Sequence, residues 1–268
     1  MSTETRPADW DIRTAGPADA RHRALLLPGG MCTAEFYADV MAEPAIADAR
    51  LGMTAVTLPG FGRTPAPEDV SVENYARLLG RLAAERDCDL VVGQGLGSTV
   101  AIEMAVTGAF AGPLVLLSPS FSRDDEAREF ALLDRLGRVP GLGGAAWAVA
   151  LRLFPRAARD GLPPGRRDTL AAVLADNDPA FCHRALRHYY DHLDRHGSLV
   201  PRLCATALPV WVVRGDADDI GLTDGERRDL DACPTITLVP VPRAGHGVLV
   251  EQPARVASII AEAAARLG

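Results

Sequence analysis

Four short stretches collect the residues that could do chemistry: "PGGM" (Pro28–Met31), "GQGLG" (Gly93–Gly97), "RGDADD" (Arg214–Asp219) and "AGHGVLVEQP" (Ala244–Pro253). Each follows a short apolar run that reads as a strand, and open parallel sheets take their ligands outside the carboxyl ends of strands. Among the ionisable side chains of these stretches, Asp216, Asp218, Asp219 and His246 are the ones that offer a carboxylate or an imidazole at the strand ends. A carboxylate with an imidazole is the pairing that general acid–base work uses. The glycines offer backbone N–H groups instead of side chains. "LVVGQGLGSTVAIEMA" (Leu90–Ala105) reads as a buried strand, a tight glycine turn and a helix, a setting that calls for a reactive side chain at the apex of the turn. The apex residue is Gly95, which has none.

The elements that must position these stretches alternate along the chain. "RALLLPGG", "MTAVTLPGFGRT", "CDLVVG", "GPLVLLSPS", "LPVWVVRGDAD" and "TITLVPVPRAG" are apolar runs stopped by Gly or Pro, the pattern of strands buried on both faces. "SVENYARLLGRLAAERD" places Val72, Tyr75, Leu78, Leu79 and Leu82 at helical spacing behind a Ser71 N-cap. "STVAIEMAVTG" predicts a helix ended by Gly108, and "QPARVASIIAEAAARL" a closing amphipathic helix. This alternation predicts an α/β domain with a mostly parallel sheet and right-handed crossovers. Residues 122–203 break it. They carry no strand-like run, are rich in Arg, Asp and Ala with breaks at "VPGLGG" and "DGLPPGRRD", and are too long for a bare loop. The predicted organisation is a core of residues 1–121 and 204–268 interrupted by a helical insertion at 122–203.

Composition limits the partners. The chain has 268 residues and a net charge of −7, with no basic patch interleaved with aromatics, which argues against nucleic acid and anionic membranes. The five cysteines, Cys32, Cys88, Cys182, Cys204 and Cys233, are widely spaced with no C-x-x-C, so neither a disulfide framework nor a zinc site is expected. The first residues lack an apolar core, and no apolar run approaches the about 18 residues of a membrane span. A cytoplasmic monomer or homodimer acting on a small molecule is the expectation. "GQGLGS" superficially matches a dinucleotide fingerprint, but Ser98 stands at its third glycine and no acidic residue ends a following strand. No cofactor is expected.

Together these motifs make the chain resemble the α/β-hydrolase superfamily over nearly its whole length. "LLLPGG" is similar to the oxyanion-loop segment, with Pro28 where a His is common. "LPGFGRT" is similar to the D-x-P-G-x-G-x-S loop. "GQGLGS" matches the nucleophile elbow G-x-S-x-G except at the nucleophile. "VWVVRGDADD" looks like the acid loop and "GHGVLVEQPARV" like the histidine loop, and the order elbow, acid, His is the superfamily's. The resemblance implies an α/β-hydrolase fold in which residues 122–203 form a helical cap. It implies catalytic roles for His246 and Asp218, with Asp216 and Asp219 as competitors for the acid, and Gly95 as a vacant nucleophile position. Backbone N–H groups of Gly30 and Leu96 would hold an oxyanion, Leu96 also opening the elbow helix.

Three functions fit this pattern. One is an enzyme acting on an ester, lactone or carbonyl-type substrate without a covalent nucleophile, through a His246–Asp218 general-base dyad. Another is a Ser-type esterase or thioesterase silenced by Ser-to-Gly at position 95. The last is a non-catalytic protein that binds a small molecule. Met31, Gln94 and Ser98 are pocket candidates. Ser98, in the first helical turn, is placed to face the sheet or cap the helix rather than attack. Cys32 lies near the pocket, and its plainer reading is a small buried residue. Phe36, Tyr37, Trp147, Phe154, Tyr189 and Tyr190 are lining or packing residues. His188, His192 and His196 recur every four residues on one predicted helix. No H-E-x-x-H pattern surrounds them, so no metal is expected and the stripe reads as a solvated or cap-lining face.

Overall fold

The apolar runs become strands of a single seven-stranded sheet in the order β1-β3-β2-β4-β5-β6-β7. The computed structural model describes residues 7–126, 143–218, 220 and 222–267. The strands are β1 (Ile12–Ala15), β2 (Arg23–Leu27), β3 (Gly52–Val56), β4 (Leu90–Gln94), β5 (Leu114–Leu117), β6 (Val210–Gly215) and β7 (Ile236–Val241). All pair in parallel except β1, which runs antiparallel to β3 with Ile12 opposite Val56. Strands β3, β4 and β5 are buried at every position, as expected where helices cover both faces. Strand β1 was not expected from sequence. It is a half-exposed edge, "IRTA", and so carries no continuous apolar run to announce it.

The helices, in chain order, begin with two short ones, α1 (Ala38–Ala42) and α2 (Pro44–Asp48). Helix α3 (Val72–Glu85) starts where the Ser71 hydroxyl accepts the Asn74 N–H, and it buries Val72, Tyr75, Leu78, Leu79 and Leu82. Helix α4 (Leu96–Val106) is buried along nearly its whole length, which is why its sequence shows no polar stripe. Helices α5 (Gly143–Ala158), α6 (Arg167–Ala175) and α7 (Pro179–His196) follow, and α8 (Val200–Ala205) leads back to the sheet. Then come α9 (Asp224–Ala232), α10 (Val248–Glu251) and the closing α11 (Pro253–Ala265). Between β5 and β6 the described residues are helical or irregular and contain no strand. Residues 127–142, including much of the "VPGLGG" break, lie outside the described residues, as does Asp219.

Side chains tie this helical stretch to the loops at the sheet's carboxyl edge. Asn177 donates to the Met31 carbonyl at 2.8 Å and accepts the Gly62 N–H at 2.8 Å. Arg63 pairs with Asp176 at 2.6 Å, and Arg166 pairs with Glu35. Asp178 caps α7 by accepting the Ala180 N–H at 3.0 Å.

The turn between β4 and α4 fixes the whole edge. A Cβ on Gly97 would sit 2.2 Å from the Leu27 carbonyl oxygen, and one on Gly93 would sit 2.4 Å from the Gly97 oxygen. Both obstacles are backbone and cannot swing away. At Gly95 a Cβ would meet nothing nearer than Gly29 Cα at 3.8 Å, although φ is +50°. Gly97→Ala is therefore expected to destabilise by about 3 kcal/mol or more through overpacking, against about 1–2 kcal/mol of backbone strain for Gly95→Ala. Urea denaturation of the two variants gives both numbers, and equal losses would contradict this geometry.

Candidate active site

Gly95 turns the chain from β4 into α4 with φ 50° and ψ −117°, a conformation held without a side chain. The Gly95 N–H donates to Leu117 at 3.1 Å, and the Gly95 carbonyl accepts from Ser98 and Thr99. Ser98, a pocket candidate from sequence, does not reach the cavity. It is fully buried, and its hydroxyl donates to the Gly93 carbonyl at 2.8 Å. Its role is to close the turn.

The loop after β2 faces this turn. Gln94, buried at the end of β4, accepts the Gly29 N–H at 2.9 Å and so fixes the loop against the elbow. A Cβ on Gly29 would overlap that Gln94 oxygen at 2.4 Å. Met31 takes a left-handed φ of 64°, which turns the loop over, and Asn177 holds its carbonyl. The N–H groups of Gly30 and Leu96 donate to no acceptor among the described residues. Leu96 is the first residue of α4, where a helix leaves its N–H unpaired. Both residues line one cavity with Gly95.

Asp218 follows β6 and His246 follows β7. His246 Nδ1 lies 3.3 Å from Asp218 Oδ1, close enough to pair, though the ring N–H is not aligned as a hydrogen bond. The Asp218 side chain is 1% exposed and that of His246 36% exposed. Burial alone would push the Asp218 carboxyl up. His246, Arg214 at 3.2 Å and the Ile220 N–H at 3.1 Å outweigh it and hold it below the usual carboxylate range. Arg214 is itself anchored on the Pro119 carbonyl. Asp216 is exposed and accepts the Arg243 N–H at 2.7 Å, so it braces the neighbouring loop and leaves Asp218 as the carboxylate beside His246. Glu251, which sequence reasoning missed, accepts the N–H of Gly245 at 2.7 Å and of Gly247 at 3.0 Å. It grips the backbone on both sides of His246. Its only signal in sequence is a Glu five residues after the histidine.

A profile of the Alpha/beta hydrolase family matches residues 24–259. The chain belongs to this family.

Solved structures agree in fold. An ancestral haloalkane dehalogenase superposes with a TM-score of 0.76 at 18% identity, covering 100% of this chain and 99% of that one. MenH from S. aureus gives 0.75 at 18%, covering 96% and 98%. The enol-lactonase from Burkholderia xenovorans LB400 gives 0.72 at 15%, covering 95% of each. No curated protein matches the chain in sequence. No helix among the described residues is long and apolar enough to cross a membrane.

In this alpha/beta hydrolase the elbow, the loop after β2 and His246 open onto a cavity of about 490 Å³. Its walls are mostly apolar and include Met31, Phe36, Phe61, Phe154 and Leu186. Gln94, Tyr189 and Tyr190 also line it, whereas Tyr37 and Trp147 are fully buried core residues that do not. Cys32 lines it too, but burial pushes its thiol up to about 12, so it is protonated and a poor nucleophile. Glu126, also missed from sequence, contributes a carboxylate that accepts the Tyr189 hydroxyl proton at 2.6 Å. Its neighbour Asp125 points away from the cavity, accepting the Phe121 N–H at 2.7 Å and the Thr223 N–H at 3.2 Å.

Asp125 also faces Glu226, a second buried carboxylate at the start of α9. Burial, then Glu226, pushes the Asp125 carboxyl up to about 7. Glu226 Oε1 is buried without a donor, and a proton on Asp125 supplies one. A raised folded-state pKa means folding takes up a proton between the ordinary Asp range and about pH 7. The stability it brings is complete at the acid end and lost as pH rises through that window. Glu226 is held below its ordinary value, despite burial, by Asp125, Ser122 and Thr223. From pH 5 upward it is largely ionised in both states and adds little slope. The melting temperature is expected to fall between pH 5 and 8, equivalent to about 1–2 kcal/mol. In Asp125→Asn, whose amide mimics the protonated acid, that fall should be largely absent. An unchanged slope in the variant would remove the shared proton.

Proposed function

We propose that this protein hydrolyses a small, largely apolar ester or lactone by general-base catalysis, with no covalent intermediate. The observation that supports it most is the convergence on one cavity of three features: the Asp218-paired His246, the unpaired N–H groups of Gly30 and Leu96, and a bend at Gly95 that carries no side chain. In this reading the insertion at 122–203 acts as a cap, and substrate lies under it with its carbonyl oxygen toward the two N–H groups. Water occupies the space a nucleophile's side chain would fill. His246 Nε2 takes a proton from that water as its oxygen adds to the carbonyl carbon. Gly30 and Leu96 hold the resulting oxyanion. When the C–O bond to the leaving group breaks, the imidazolium returns the proton to the departing oxygen. Asp218, ionised and dry, keeps the ring oriented and balances its transient charge.

A panel of aryl acetates, aryl butyrates and five- and six-membered lactones tests the reading. Turnover of at least one class that is abolished by acid inactivation of the fold and saturates with substrate is the expected result. Binding without turnover across the panel would instead favour a non-catalytic receptor. The open space above Gly95 supports one other reading, a Ser-type esterase silenced at that position, since a Cβ there meets no obstacle within 3.5 Å.

A further inference from the structure

Away from the cavity, the histidine stripe of α7 does not behave as a solvated face. His188 is exposed, but His192 is 1% exposed and wedged between α7, α3 and α4. Its Nδ1 lies 3.1 Å from Glu73 Oε1, while its Nε2 is buried with no hydrogen-bond partner, 3.8 Å from Glu103 Oε2. His196, one turn on, packs edge-on against it with ring centroids 4.7 Å apart. One ligand atom from each of Glu73, His192 and His196 lies within 4.8 Å of the others. The carboxylate that no H-E-x-x-H pattern supplied on the same helix comes from the first turn of α3, 119 residues away in sequence.

We propose that Glu73, His192 and His196 form a binding site for a borderline divalent transition-metal ion such as zinc. Two imidazoles and one carboxylate are the donor set such ions take, with water completing the shell. Ligand atoms about 2.1 Å from a zinc ion stand about 3.4 Å apart. His192 Nδ1 and Glu73 Oε1, 3.1 Å apart, stand near that spacing, and drawing the half-exposed His196 in from within 4.8 Å completes the set. The neighbouring charges define the competition. Arg195 pairs with Glu73 at 2.7 Å but is 59% exposed and free to turn outward. Arg202 is engaged at 2.8 Å by Glu103, whose carboxylate stays behind His192 and offsets added positive charge. A bound ion would pin α7 to α3. Because Leu186, Tyr189 and Tyr190 of α7 wall the cavity, the ion would also stiffen that wall. The proposal is independent of the reaction assigned to the cavity.

Isothermal titration of the full chain with zinc chloride tests it, together with thermal melts with and without zinc. Wild type should bind one ion saturably and melt at higher temperature with zinc present. His196→Ala and Glu73→Gln should each weaken binding at least 10-fold, and His188→Ala should leave it unchanged. Arg195→Ala, which frees the carboxylate, should tighten binding several-fold. That gain cannot arise from a misfolded variant. No saturable binding to wild type, or equal binding to His196→Ala and wild type, would overturn the site.

Discussion

Replacing His246 by alanine is expected to lower kcat by a factor of roughly 10² to 10⁴ on any ester or lactone the protein turns over. KM should change little. The side chain is 36% exposed and its ion-pair partner among the described residues is Asp218, so its removal costs little packing and the melting temperature should stay within a few degrees of wild type. That combination separates a catalytic imidazole from one that merely joins two loops. A joining role would move stability and leave kcat alone, and a receptor would bind its ligand equally well in both forms. Added imidazole should restore part of the rate, because the cavity beside Gly95 is open where the ring was. Steady-state kinetics on purified wild type and variant, each with its melting curve, decides among these outcomes. A variant retaining more than about a tenth of wild-type kcat would remove His246 as the base.

Gly95→Ser has the second large effect, and it changes mechanism as well as rate. The new Cβ meets only Gly29 Cα at 3.8 Å, so the hydroxyl fits into the cavity that His246 and the Gly30 and Leu96 N–H groups line. The backbone already holds φ +50°, and forcing a side chain into it costs about 1–2 kcal/mol of stability. The serine then sits where an imidazole can take its proton and an oxyanion can be held. An aryl ester should acylate it, giving a stoichiometric burst of phenolate and a mass increase of one acyl group. Gly95→Ala carries the same strain without the hydroxyl and should show neither. If Gly95→Ser folds but does not acylate, the dyad and N–H groups are not arranged for attack from position 95, and the silenced-esterase reading falls.

Much of this was legible in the residues. Parallel strands buried on both faces must be continuously apolar, so β2 to β6 stand out in the sequence. A turn in which two carbonyl oxygens lie 2.2 and 2.4 Å from would-be Cβ atoms can only be written with Gly97 and Gly93, so the elbow is equally visible. What escaped has a common cause. Strand β1 is an exposed edge and needs no apolar run. Asn177, Glu126 and Glu251 act on backbone or side chains that only the fold brings near, and a lone polar residue in a helix or loop has no local signature. The histidine stripe misled for the same reason. Its periodicity placed it correctly on one helix face, but whether that face met water or a glutamate depended on where α3 packs. Ser98 and Gln94 show the opposite limit: adjacent to the elbow in sequence, one is turned inward to the Gly93 carbonyl and the other outward to Gly29.

Stopped-flow hydrolysis of an aryl ester by wild-type protein, at enzyme concentrations comparable to substrate and followed by intact mass spectrometry, reads the absence of a nucleophile directly. Phenolate release should be linear from the first turnover, the protein mass should remain unchanged, and oxygen-18 from water should enter the acid product in a single step. A burst equal to the enzyme concentration, with an acyl adduct on the chain, would contradict general-base hydrolysis at Gly95.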